Sequence, residues 1–110
     1  MGALRIPARG LAVVAVGLAA LAPGTPALSS QALAADLGCM NCHGDPPRKQ
    51  APTFAALALQ YAPARDDAAR QAKLAEKLRQ GSIFSHIDAH ERLSPETAAR
   101  LVRWIAEGAQ

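Results

Sequence analysis

The apolar residues of the chain fall into one continuous block followed by short stretches with helical spacing. Positions 11–22 hold only Leu, Ala, Val and Gly. Further on, Leu33 and Leu37 stand four apart behind Ser29 and Ser30, either of which suits an N-cap, and this predicts a first helix. Phe54, Leu57, Ala58 and Tyr61 recur at i, i+3, i+4 and i+7, which predicts a second helix that Pro63 ends. Asp66 and Asp67 open a longer third helix, where acidic side chains favour the positive end. Its buried pair is Leu74 and Leu78, and Lys77, Arg79 and Gly81 close it. Ser94-Pro95-Glu96 reads as an N-cap followed by proline at the first helical position. The last helix then carries Ala98, Leu101, Val102 and Ile105 on one stripe, with Trp104 beside it. Positions 44–50 cannot stay helical through Pro46 and Pro47, and positions 82–93 show no sustained period. No strand pattern, internal repeat or low-complexity segment competes, so the expected fold is all-α, with about four helices.

The N-terminal block has a different meaning. Positions 1–10 carry Arg5 and Arg9 and no acid, and the apolar run of 12 residues at 11–22 is followed by Pro23-Gly24-Thr25-Pro26. This is the order of a secretory signal. The run is short for a membrane span, which needs roughly 20 residues, so no transmembrane segment is expected after cleavage, and the expected destination is a bacterial periplasm. Cleavage is expected after position 27, giving a leader at 1–27 and one domain at 28–110. Ala32-Leu33-Ala34 fits the small-x-small rule better, and cleavage as late as 34 is the alternative, but it would destroy the first helix.

Charge then reads differently. The whole chain has 12 Lys and Arg against 9 Asp and Glu, and losing Arg5 and Arg9 leaves 10 against 9. The basic balance belongs partly to the leader, and nucleic acid is not an expected partner. Removing 27 of 110 residues leaves 83, with only Phe54, Tyr61, Phe84 and Trp104 as aromatic residues. A domain of that size is near the limit of what a core alone stabilises. A bound apolar cofactor would supply the missing bulk.

The candidate chemistry is concentrated in Cys39-Met40-Asn41-Cys42-His43, which holds both cysteines of the chain. C-x-x-C-H suits two thioether bonds to the vinyl groups of one haem, with the adjacent histidine ligating iron from the same side. A thiol–disulfide pair has the same cysteine spacing, but it expects a βαβ context. A zinc site drawing on Cys39, Cys42, His43 and either His86 or His90 is formally available, at the expense of strain between adjacent Cys42 and His43. No nucleophile–base pair, paired-carboxylate site or phosphate loop is visible, so enzymatic catalysis is not expected.

Positions 28–110 resemble a small bacterial class I cytochrome c over nearly their whole length. The resemblance rests on Gly38-Cys39-Met40-Asn41-Cys42-His43-Gly44, Ala51-Pro52-Thr53-Phe54 with Tyr61 beyond, Lys77-Leu78-Arg79-Gln80-Gly81-Ser82 and Leu101-Val102-Arg103-Trp104-Ile105. It implies one covalent haem c on Cys39 and Cys42 with His43 as proximal ligand. It also implies that the Pro52 carbonyl orients His43 by accepting from its proton-bearing ring nitrogen, and that the first and last helices cross, with Leu37 and Gly38 near Leu101 and Trp104. The family usually has Gly where Ala51 stands. It also usually supplies a distal methionine from the loop before the last helix. Here the only methionines are Met1, in the leader, and Met40, between the two cysteines. The loop that should hold the ligand carries His86 and His90 instead. Imidazole ligates iron well, so His90 is the expected distal ligand and His86 the alternative. The implied function is one-electron transfer with a periplasmic redox partner protein. Binding of nitric oxide or carbon monoxide at a weakly ligated iron, or service as the haem subunit of a periplasmic oxidoreductase, are the alternatives.

Overall fold

The computed structural model describes residues 30–110 and, before them, only positions 2–4, 10, 12, 15 and 17. The apolar run and the basic residues assigned to the leader therefore lie almost wholly outside the described residues. Six α-helices follow: α1 (Ser30–Asp36), α2 (Met40–His43), α3 (Phe54–Tyr61), α4 (Ala68–Arg79), α5 (Asp88–Glu91) and α6 (Pro95–Ala106). Among the described residues there is no strand, only an isolated bridge between Ser82 and Ser85, and no helix long and apolar enough to cross a membrane. The all-α expectation holds at this level.

Helix α6 is the centre of the fold. Its stripe of Ala98, Leu101, Val102 and Ile105 is buried as expected, and Trp104 and Ala106 are buried with it. Full burial of a large apolar side chain stabilises by about 1.5–3 kcal/mol, so Leu101, Val102, Trp104 and Ile105 dominate the apolar contribution. Ser94 caps the helix by accepting from the Thr97 amide at 3.1 Å, ahead of Pro95. At the other end Gly108, at φ 114°, lets the Gly108 and Ala109 amides donate back to the carbonyls of Ile105 and Trp104. This is a Schellman closure. Nothing in the hydrophobic pattern announces it.

Helices α1, α3 and α4 all pack on α6. Helix α3 begins at Thr53, whose hydroxyl accepts from the Ala56 amide at 3.1 Å. The expected stop at Pro63 is softer than a break. The chain passes into a 3-10 turn over Ala62–Ala64 with the proline at its start, where a missing amide hydrogen is tolerated. Asp67, not Asp66, caps α4, accepting from the Arg70 amide at 2.9 Å. Leu74 and Leu78 pack against the core only in part, and Ala75 is the buried residue of α4.

Two expectations need correction. Gly81 does not close α4 through a left-handed residue: it is not among the positive-φ glycines, and the helix ends at extended Gln80. The crossing of α1 and α6 does not rest on Leu37 and Gly38. Ala34 is wholly buried within the α6 cluster and Leu33 packs on it, while Leu37 lies past the end of α1 and is exposed. A close helix crossing favours a small side chain at the contact, and Ala34 supplies it.

Candidate functional site

The C-x-x-C-H segment is launched by the end of α1. The Gly38 and Cys39 amides donate to the carbonyls of Ala35 and Ala34, both at 3.0 Å. Gly38 has φ 78°, so this is a second Schellman closure, and its last residue is Cys39. The left-handed turn joins buried Ala34 to Cys39, which packs against the same core. From Cys39 the chain turns at once into α2. Three residues of spacing on a helical turn bring Cys39 and Cys42 to one face, with His43 next in line. Both thiols are free and half-buried. Burial pushes the Cys39 thiol above its ordinary value.

The loop after α2 folds back onto His43. The Arg48 amide donates to the Cys42 carbonyl at 2.9 Å. Lys49 and Gln50 take the left-handed conformation at φ 52° and 59°. Ala51, the position where the resembled family has Gly, is not left-handed. The tight bend is made one and two residues earlier, so an alanine is accommodated. The loop delivers the Pro52 carbonyl to His43, whose Nδ1 donates to it at 2.6 Å. A carbonyl can only accept, so the proton sits on Nδ1 and the lone pair of the neutral ring is left on Nε2. Phe54 then flanks His43 with ring centroids 5.4 Å apart and meets Trp104 at 5.0 Å. The orientation of His43 is thereby tied to the α6 core.

His90 lies in α5 with its ring centroid 6.0 Å from that of His43 and the two planes within 9° of parallel. Two imidazoles sharing one ion through bonds of about 2.0 Å, each ring centre about 1.1 Å behind its nitrogen, have centroids roughly 6 Å apart. His90 is half-buried. Burial, and secondarily the charge of His43, hold its pKa below the ordinary value, which favours the neutral, ligating form. His86 is placed differently. Its Nδ1 donates to the Glu91 carboxylate at 2.9 Å and its side chain is exposed. Of the two histidines in this loop, His90 is brought beside His43 and His86 is turned onto Glu91. The two do not share one face, because regular helix begins only at Asp88. Met40 is exposed.

These donors fit a haem better than a bare ion. Among the described residues no three His, Cys, Asp or Glu side chains converge on a point that could hold a metal ion. The four-ligand zinc arrangement is therefore not formed, whereas a haem iron takes only two protein donors. A reactive thiol pair is expected to show lowered thiol pKa values, and burial moves Cys39 the other way. The core also leaves apolar surface without cover. Val102 is the one large side chain almost completely buried among the described residues, while Leu59, Ile87, Ile83 at 87% and Phe84 at 92% exposure face solvent. Searches among family models, curated proteins and solved structures find no match to this chain.

Proposed function

We propose that the chain is a periplasmic monohaem c-type cytochrome that carries one electron at a time, with haem bound through Cys39 and Cys42 and its iron ligated by His43 and His90. The observation that carries this reading is the near-parallel approach of the His43 and His90 rings, with centroids 6.0 Å apart. The C-x-x-C-H segment and the Nδ1 bond from His43 to Pro52 support it. The bound group supplies reversible one-electron iron chemistry. The chain's own residues hold it. Cys39 and Cys42 anchor it, and Pro52 fixes the His43 tautomer so that Nε2 presents its lone pair. The periplasmic location follows from the leader pattern at positions 1–27, and the expected partner is another periplasmic redox protein.

The test is the ferric absorption and electron paramagnetic resonance spectrum of the secreted protein. Low-spin ferric haem without a sulfur–iron charge-transfer band is the expected result, converted to high-spin by His90→Ala and unchanged by His86→Ala. A high-spin wild type that takes up nitric oxide readily would favour small-ligand binding instead. Two imidazoles lack the thioether that raises potential, so the midpoint is expected below that of Met-ligated cytochromes. A potential as high as theirs would count against His90.

A further inference from the structure

Helix α5 is four residues long, too short to be stable alone, yet it carries the residue that faces His43. Its C-terminal end is secured by burial of Leu93, whose carbonyl accepts from Arg79 Nε at 2.9 Å. The other end has no such burial, because positions 81–89 are all exposed. The exposed Arg92–Asp88 pair at 3.8 Å contributes little. What spans this end is the bond from His86 to Glu91, which ties the residue after His90 back across the loop. The Glu91 carboxylate in turn lies directly over Gly81. A Cβ at Gly81 would overlap Glu91 Oε1 and stand 2.9 Å from Glu91 Cδ and 3.0 Å from His86 Nδ1. A side chain at Gly81 would therefore push the Glu91 carboxylate off its seat, and the three residues form a clasp.

We propose that Glu91, seated over Gly81 and hydrogen-bonded to His86, is a positioning residue that keeps His90 facing His43. The inference rests on the reading of His90 as the distal ligand. It also assigns His86 a role other than ligation: it closes the clasp.

Carbon monoxide binding to the ferrous secreted holoprotein reads the clasp directly. The gas competes with the distal imidazole, so its association rate follows the fraction of molecules in which His90 has swung away. Glu91→Ala and His86→Ala are each expected to speed association by about two- to fivefold, the population factor an exposed pair of this kind carries. The double variant should be no faster than either single one, because both remove the same bond. Glu91→Gln keeps an acceptor for His86 Nδ1 and is expected to restore most of the wild-type rate. Gly81→Ala, which displaces the carboxylate, should match or exceed Glu91→Ala. If the wild type is low-spin with His90 as ligand and all these variants bind at the wild-type rate, the clasp is wrong and the ligation reading stands. Additive effects of Glu91→Ala and His86→Ala overturn it as well. A high-spin wild type removes the ligation reading, and the clasp with it.

Discussion

Replacing Phe54 by alanine separates His43 from the α6 core without touching any candidate ligand. A fully buried phenylalanine costs about 3–5 kcal/mol on truncation to alanine. Phe54 is half-buried, which reduces that to about 2 kcal/mol. Its tilted ring contacts to Trp104 at 5.0 Å and to His43 at 5.4 Å add roughly 0.5–1.5 kcal/mol each, partly overlapping with the burial. The expected loss is about 3 kcal/mol. For a domain of this size each kcal/mol lowers Tm by about 4–8 °C, so Phe54→Ala should melt roughly 12–24 °C below wild type in far-ultraviolet circular dichroism of the secreted protein. Phe54→Leu keeps most of the apolar volume, loses the ring contacts and should cost about 1 kcal/mol. A Phe54→Ala drop smaller than about 4 °C would show that Phe54 does not join the loop to α6, and the tie between His43 and the core would have to be abandoned.

Three further outcomes follow from the same geometry. Gly38→Ala places a Cβ at φ 78°, 3.2 Å from Asn41 Nδ2, and should destabilise by about 1 kcal/mol net in a denaturant melt; a stability equal to wild type would refute the Schellman launch of the C-x-x-C-H turn. Burial raises the pKa of Tyr61, so its stabilising contribution is complete below the unfolded value near 10 and is lost as pH rises through the folded one. As the sole tyrosine of the chain, it can be followed by phenolate absorbance: the folded midpoint should exceed that of the unfolded chain, and Tyr61→Phe should flatten the alkaline loss of stability. The mature N-terminus should precede Ser30, by intact mass of the secreted protein, because cleavage after Ala34 would remove a wholly buried residue and most of α1. A chain beginning at position 35 would refute the α1–α6 packing as a required part of the fold.

Much of this protein is legible in one dimension. Helical periodicity at Phe54–Tyr61 and Pro95–Ala106 is local, and the Ser94-Pro95 start satisfies its own amides whatever surrounds it. The C-x-x-C-H segment is equally local, since three-residue spacing puts both sulfurs on one side of a turn before any packing occurs. Even the identity of the candidate distal ligand was narrowed to His86 and His90 by counting methionines. The resemblance ranked His90 ahead of His86, but the loop's own pattern gives no physical ground for that order. Both are polar residues in a loop without period, and what parts them is a carboxylate five residues from His86 and a glycine ten residues from Glu91. Those contacts exist only once α4 and α6 have folded the loop between them. The same holds at the helix crossing, where alternation of Leu33 and Leu37 pointed to leucine, while the depth available between two close helices selected Ala34. Sequence determined the local elements and the donors, because propensity, capping and spacing act over a few residues. Tertiary structure decided which donors meet, because that depends on how closely separate segments can approach.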